Sequence, residues 1–96
     1  MQIKSFEHAG LQRLYDDDVA KGVPSGSAAK LRNMLGFLDS MGHPDELRTP
    51  VLKWKAHKLT QNRRGTWALI VTRNYRLTFW VDAQQRLCDL NLEDYH

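Results

Sequence analysis

Cysteine is nearly missing from this 96-residue chain, in which Cys88 is the only one. A single cysteine cannot form an internal disulfide bond, and it cannot supply a cluster of thiolate metal ligands. No apolar run approaches the roughly 18 residues that a membrane-spanning helix needs. The opening MQIKSFEHAG also lacks the basic and then apolar order of a signal peptide. We therefore expect a cytoplasmic protein without a membrane segment, and Cys88 as a small core residue.

Length and composition set the scale of the fold. Ninety-six residues suffice for one domain with a single modest core and are too few for two. A hydrophobic content of 42% with 26% charged residues is typical of a soluble globular protein. Internal repeats, low-complexity tracts and linker-like segments are also missing. The sequence therefore predicts a single domain over residues 1–96.

Acidic residues are missing from residues 47–76, although the rest of the chain has an excess of them. The basic residues of this block are Arg48, Lys53, Lys55, Lys58, Arg63, Arg64, Arg73 and Arg76. Solubility is better served by charges of mixed sign than by one block of a single sign. The block therefore indicates a polyanionic partner, and nucleic acid is the first to consider.

Two amphipathic helices are predicted before the basic block. Leu11, Leu14 and Tyr15 have helical spacing in a segment from Gly10 to about Val19. In the second helix, Ser25-Gly26-Ser27 would provide the N-cap. Its apolar stripe consists of Leu31, Met34, Leu35, Leu38 and Met41. A stripe of this kind has to pack against another element, and a sheet formed by the rest of the chain is the natural candidate.

The predicted sheet is centred on the stretch WALIVTRNYRLTFWV, from Trp67 to Val81. Its alternating residues form two strands around a turn at Asn74, which tolerates the left-handed backbone of a tight turn. One face would carry Leu69 and Leu77 toward the core, and the other face would be half polar. Further strands are predicted for Ile3–Phe6, Val51–Leu59 and Arg86–Leu92. The expected fold class is α+β, with two N-terminal helices packed on a twisted, mainly antiparallel sheet.

Candidate catalytic residues lie in the hairpin and at the end of the sequence. Arg76 in an apolar strand is either a surface residue or an anion-binding group on a rigid element. His96 can accept and donate a proton near neutrality, and Asp94 can orient it. Tyr95 can stack on a base or donate to a phosphate, and Arg76 can hold the charge of a phosphorane.

These groups suit attack of an RNA 2′-hydroxyl on the adjacent phosphate, a reaction for which no metal or cofactor is required. The alternative function is RNA binding without cleavage, which the same residues could also support. Pure binding has no need of a proton-transfer group next to a basic surface. The sequence therefore leaves both functions open, with Asp94, Tyr95 and His96 as the feature that separates them.

Several of these motifs resemble one family. The ending L-x-x-E-D-Y-H, the opening Ile3-Lys4-Ser5-Phe6 and the run Asn74-x-Arg76-Leu77-x-Phe79 are similar to the HigB branch of the RelE-like toxins of bacterial toxin–antitoxin systems. The resemblance covers nearly the whole chain. It implies an endonuclease that cleaves messenger RNA in the ribosomal A site and is neutralised by a helix-turn-helix, HigA-like antitoxin.

The resemblance also implies roles for individual residues. Asp94, Tyr95 and His96 would be catalytic, and Arg76 would clamp the phosphate. His57 matches a histidine of the family and is a candidate for RNA binding. The charge block, and not the resemblance, adds Lys55, Lys58, Arg63 and Arg73 as candidate RNA- or phosphate-binding residues. Many relatives carry Lys-Gly where this chain has Thr60-Gln61, so either Lys58 or Arg63 replaces the missing charge or the enzyme is slower, and the sequence leaves both open. This departure modestly favours the alternative of a non-catalytic RNA- or partner-binding module.

Overall fold

The computed structural model describes residues 1–94, apart from the side chain of Gln61. The helices are α1 (Ala9–Asp17) and α2 (Ala28–Ser40), with 3-10 turns at Pro44–Arg48 and Gln61–Arg63. The strands are β1 (His57–Lys58), β2 (Trp67–Ile70), β3 (Tyr75–Val81) and β4 (Leu87–Asp94). All three pairings within the four-stranded sheet are antiparallel, in the order β1-β2-β3-β4. The predicted α+β fold is confirmed.

Helix α1 begins after His8, whose side chain caps it. The Nδ1 atom of His8 accepts a hydrogen bond from the N–H of Leu11 at 3.1 Å, which satisfies an amide that a helix start leaves unpaired. The helix ends at Asp17 because Asp18 adopts a left-handed φ of 57°. It is therefore shorter than the predicted segment. Within residues 1–94, no helix is both long enough and apolar enough to cross a membrane.

Helix α2 buries its predicted stripe, with Leu31, Met34 and Leu38 fully enclosed. The predicted N-cap is wrong in its chemistry. Ser27 does precede the helix, but its Oγ donates to the carbonyl of Pro24 at 2.6 Å and makes no cap hydrogen bond to the first turn. Burial of the stripe, more than a strong cap, therefore holds this helix in place.

The hairpin of β2 and β3 separates a core face from an outer face, as its alternation predicts. Trp67 and Phe79 oppose each other across the two strands, and their rings stack with centroids 6.4 Å apart. Both belong to the same buried cluster as the stripe of α2. The alternate residues point away from this cluster; they are Ala68, Ile70, Arg76, Thr78 and Trp80. The outer face of the sheet is defined by these five residues.

The predicted strand Val51–Leu59 is wrong for most of its length, because only His57 and Lys58 pair with β2. Lys53 and Lys55 have left-handed φ angles of 57° and 50°, which interrupt an extended chain. Between them, Trp54 is buried in the core and meets Phe37 edge-on. Burying this large side chain in the core is more favourable than the hydrogen bonds that a continuous strand would form in this segment.

The predicted N-terminal strand is also replaced by something smaller. Ile3 and Phe6 form two isolated parallel bridges to Leu87 and Leu90 of β4, which keeps the N-terminal segment along the edge of the sheet. Strand β4 itself contains a bulge, where Asp89 has a left-handed φ of 55° and the register with β3 shifts. The bulge places Leu87 and Leu90, three positions apart, in one core.

The rest of β4 fits the prediction. Cys88 is buried, as expected, but it lies opposite Trp80 and outside the main core cluster. Beyond the bulge, Glu93 lies directly opposite Arg76, and Asn91 lies opposite Thr78. Residues that are paired across an antiparallel sheet share a face, so Glu93 belongs with the outer face.

Candidate active site

A cavity of about 290 Å³ lies on the outer face of the sheet. Three of its lining residues are basic, one is a histidine and Glu93 is the one carboxylate among the described residues that line it. The full lining is Lys55, His57, Leu59, Arg63, Ala68, Ile70, Arg76, Thr78 and Glu93. Basic side chains around a partly apolar surface suit a ligand that combines negative charge with flat rings. Nucleotides combine these two features.

Arg76 is held at the hairpin end of this cavity by backbone groups. Its Nη1 atom donates to the carbonyl of Thr72 at 2.9 Å and lies within 3.2 Å and 3.4 Å of the carbonyls of Tyr75 and Arg73. Three carbonyls from one turn therefore fix the orientation of the guanidinium group. A cation fixed in advance can stabilise developing negative charge with little reorganisation.

Arg63 spans the cavity and meets Glu93 of β4. Its Nη1 and Nη2 atoms donate to Oε1 and Oε2 of Glu93 at 2.7 Å and 2.5 Å, which is a bidentate pair. The hydroxyl of Thr78 donates to Oε2 of the same carboxylate at 2.6 Å. Glu93 thus joins the 3-10 turn at Gln61–Arg63 to the outer face of the sheet.

These contacts shift the pKa of both partners. The hydrogen bonds from Arg63 lower the pKa of Glu93, and the hydroxyl of Thr78 acts in the same direction against the effect of desolvation. The hydrogen bond to Glu93 raises the pKa of Arg63. The carboxylate is therefore ionised near neutrality, so its chemical part is to neutralise and orient Arg63 and not to shuttle protons.

His57 has a defined tautomer when its ring is neutral. Its Nδ1 atom lies 3.0 Å from the backbone carbonyl of Lys55. A carbonyl can only accept, so Nδ1 carries the proton and Nε2 is the basic nitrogen. His57 pairs with Ala68, which places the imidazole on the side of the cavity. This ring can donate to a phosphate when protonated and accept a proton when neutral.

The structure brings together four of the residues predicted from the sequence and separates others. Lys55, His57, Arg63 and Arg76 all line the cavity. Lys58 does not: it pairs with Trp67, and its Nζ lies 5.6 Å from the centroid of that ring on the core side of the sheet. Arg73 is exposed in the turn between β2 and β3. The two lysines assigned together from the sequence thus lie on different faces.

The predicted catalytic end of the chain is described only as far as Asp94. Asp94 is exposed and pairs with Tyr75, one position beyond the Arg76–Glu93 pair, so the alternation of β4 turns it toward the side of Tyr75. Tyr95 and His96 lie outside the described residues. Their predicted roles therefore stay predictions.

Glu93 and Thr78 are site residues that the sequence interpretation did not include. Glu93 was considered only as a member of the terminal motif L-x-x-E-D-Y-H, and neither residue was given a role in the site. Glu93 could have been identified as a residue that pairs with Arg76 across two strands, because opposite charges are favoured in opposed positions of a sheet. Using that preference required the register of β3 against β4, which the bulge at Asp89 alters.

Comparison with known proteins gives the family. A model described as the RelE-like toxin of the type II toxin–antitoxin system HigB matches residues 4–96. A Proteus vulgaris protein named endoribonuclease HigB is 35% identical over 95 residues, which cover 98% of this chain and 99% of that protein. A solved YoeB/ParE toxin from Agrobacterium tumefaciens shares the fold, with a TM-score of 0.55 at 16% identity over 100% of this chain and 99% of that chain. The chain belongs to the HigB family of RelE-like toxins of type II toxin–antitoxin systems.

Proposed function

We propose that this protein is an endoribonuclease that cleaves messenger RNA on the ribosome and thereby stops translation. The observation that carries the proposal is the fixed guanidinium of Arg76 at one end of a basic cavity, beside Lys55, His57 and Arg63. Family membership and the name of the Proteus vulgaris relative support the same activity. The proposed place of action is the cytoplasm, where the ribosomes are.

The proposed reaction is attack of a ribose 2′-hydroxyl on the adjacent phosphorus. A base removes the proton of the 2′-hydroxyl, the bond from phosphorus to the 5′-oxygen breaks, and an acid gives that oxygen a proton. The products are a 2′,3′-cyclic phosphate and a 5′-hydroxyl end. Because the nucleophile belongs to the RNA itself, the proposed mechanism needs no metal or cofactor.

We assign the cation of this reaction to Arg76, which would bind the scissile phosphate and the charge that grows on it. His96 is the proposed proton-transfer group, with Asp94 to orient it and Tyr95 to contact the RNA. Chain length permits this assignment, since His96 is the third residue after Glu93, the partner of Arg76, and successive Cα atoms are about 3.8 Å apart. Lys55, His57 and Arg63 would bind the neighbouring phosphates.

The departure at Thr60-Gln61 bears on this assignment. The charge that many relatives place before the turn is missing, and Lys58 or Arg63 was expected to replace it. Arg63 lines the cavity, whereas Lys58 lies on the core side beside Trp67. We therefore assign the missing positive charge to Arg63, although its ion pair with Glu93 offsets part of that charge.

A second candidate function is a non-catalytic module that binds RNA or a protein partner. It is favoured by the contacts of Arg76 with the carbonyls of Thr72, Arg73 and Tyr75, which are also what a purely structural arginine would make. A toxin of a type II system has an antitoxin partner in either case. We propose that the antitoxin is a helix-turn-helix protein of the HigA kind.

The two candidates differ in what happens to a translated message. In a purified translation reaction, 5′-end mapping of one message with the protein should give new 5′-hydroxyl ends inside the reading frame. The same message without a ribosome-binding site should stay intact. New ends that persist without translation would contradict ribosome dependence, and complete absence of new ends at saturating protein would favour the binding module.

A further inference from the structure

Trp80 is the exposed tryptophan of this protein. It has 42% of its surface accessible, whereas Trp54 and Trp67 retain 5% and 1%. Strand β3 runs without interruption from Tyr75 to Val81, and successive side chains of a strand point to opposite faces, so Trp80 shares the outer face with Arg76 and Thr78. A large aromatic ring is therefore open to solvent on the same face as the candidate active site.

The indole is held in place through one edge. Its Nε1–H donates to Oδ2 of Asp89 at 2.8 Å. Asp89 sits at the bulge of β4, and its backbone N–H donates to Oγ of Ser5 at 2.8 Å. The hydroxyl of Ser5 in turn donates to Oδ1 of Asp89 at 3.3 Å. These bonds fix the ring through its N–H and do not use its π faces.

Trp80 lies at a useful distance from the proposed phosphate site. It lies four positions after Arg76 in β3, which corresponds to about 13 Å along a strand. Thr78, which contacts Glu93, lies midway between them. A single RNA strand with a phosphate at Arg76 can therefore place a nearby base at Trp80.

We propose that Trp80 stacks on a base of the RNA strand whose scissile phosphate is bound at Arg76, and so positions that strand. The proposal rests on the proposed function and adds a second point of contact to it. Basic groups for the backbone together with an exposed ring for the bases are the features by which proteins bind single-stranded nucleic acid. Because every base has a π face, the contact tolerates any sequence and favours the larger purine rings.

The test uses tryptophan fluorescence, because Trp54 and Trp67 are buried and only Trp80 can be quenched by direct contact with a base. A short oligoadenylate should quench the emission of the parent at low salt, whereas inorganic polyphosphate of similar charge should leave it nearly unchanged. Trp80→Ala should bind the oligoadenylate about ten-fold more weakly or worse, from the loss of one stacked base. Equal quenching by polyphosphate, or unchanged affinity of Trp80→Ala, would overturn the proposal.

A second variant separates the ring from its anchor. Trp80→Phe keeps a stacking surface but loses the hydrogen bond to Asp89, so it should retain most of the affinity, measured with a labelled oligoadenylate. A loss as large as that of Trp80→Ala would show that the bond to Asp89 matters and the ring does not. Urea unfolding of both variants checks that they are folded.

Cleavage mapping keeps this proposal distinct from the proposed function. If the parent cleaves translated messages and Trp80→Ala cleaves them at the same protein concentration and positions, stacking at Trp80 is wrong and the nuclease stands. If the parent cleaves nothing while oligoadenylate binding still depends on Trp80, the nuclease is wrong and the stacking contact stands.

Discussion

Arg63 and Glu93, thirty positions apart in the chain, form a bidentate ion pair across the cavity on the outer face of the sheet. The pair fixes the turn at Gln61–Arg63 above the strands that carry Arg76 and Thr78. It also places a negative charge directly opposite Arg76 in the sheet. The charge of the cavity therefore depends on Arg63 neutralising this carboxylate.

Removal of Arg63 should affect RNA binding more than the loss of one positive charge. Arg63→Ala removes the bidentate partner of Glu93 and leaves its negative charge directly opposite Arg76, so ribosome affinity should fall more than in Arg64→Ala, the adjacent exposed arginine. Binding is measured at low and at physiological salt. The double variant Arg63→Ala, Glu93→Gln also removes the negative charge of Glu93 and should recover part of the affinity. Equal losses for Arg63→Ala and Arg64→Ala would contradict this account.

The same pair should contribute to stability in a pH-dependent way. Because the folded state lowers the pKa of Glu93, its contribution is present above the ordinary value near 4.5 and is lost as pH falls through the folded value. The side chain of Arg63 is half exposed, so we expect about 1 kcal/mol or less. Urea unfolding of the parent and Glu93→Gln at about pH 6 and about pH 3 should show a smaller acid loss for the variant. The pKa of Asp82 is also lowered, so the difference between the two proteins, and not the total slope, is the test.

Arg76→Ala should lower the cleavage rate strongly. Loss of one fixed charge-stabilising donor costs about 3 kcal/mol, or roughly a hundred-fold in rate. Single-turnover cleavage at saturating ribosome concentration measures it, with Arg76→Lys as a variant that keeps the charge. Since Arg76 also donates to carbonyls of the turn, Arg76→Ala should lower the free energy of unfolding by about 1 kcal/mol, and the protein should still fold. A fully active or an unfolded Arg76→Ala protein would show that the arginine has only a binding or structural role.

Lys55 and Lys58 provide a matched pair of charge removals. Lys55 lines the cavity, and Lys58 lies beside Trp67 on the core side. Lys55→Ala should weaken ribosome binding and reduce the slope of affinity against salt by about one phosphate contact. Lys58→Ala should leave both nearly unchanged. Equal effects of the two substitutions would mean that the outer face is not where RNA binds.

Acid should also weaken the start of helix α1. His8 caps the helix through an unprotonated Nδ1, and burial lowers the pKa of this histidine. The folded state thus binds fewer protons than the unfolded state. The contribution of the cap to the free energy of unfolding is therefore complete above about pH 6.5 and is lost as the pH falls through the lower pKa of the folded state. His8→Asn keeps an acceptor that does not titrate, and it should remove this part of the pH dependence, about 1 kcal/mol. Thermal unfolding of both proteins at about pH 7.5 and about pH 5.5 measures the difference, and equal losses would contradict the role of His8.

The sequence alone determined the parts that depend on local periodicity. Alternation in the hairpin assigns Trp67 and Phe79 to the core and Arg76 and Thr78 to the outer face, because successive side chains of a strand point to opposite sides. Helical spacing of the apolar residues in α2 identifies a stripe that has to be buried. The block without acids and the terminal motif indicate an RNA partner and the toxin family.

Only the tertiary structure decided which distant residues meet. The ion pair of Arg63 with Glu93 depends on the turn at Gln61–Arg63 and on the bulge at Asp89. Neither feature has a sequence pattern from which the register of β3 against β4 could be predicted. Burial of Trp54 interrupts a segment that reads as a strand, because packing a large ring in the core is worth more than a few strand hydrogen bonds. The sequence also did not separate Lys55 from Lys58 in function. Lys55 lines the cavity and Lys58 lies beside Trp67 because the burial of Trp54 and the pairing of β1 with β2 decide where each side chain lies.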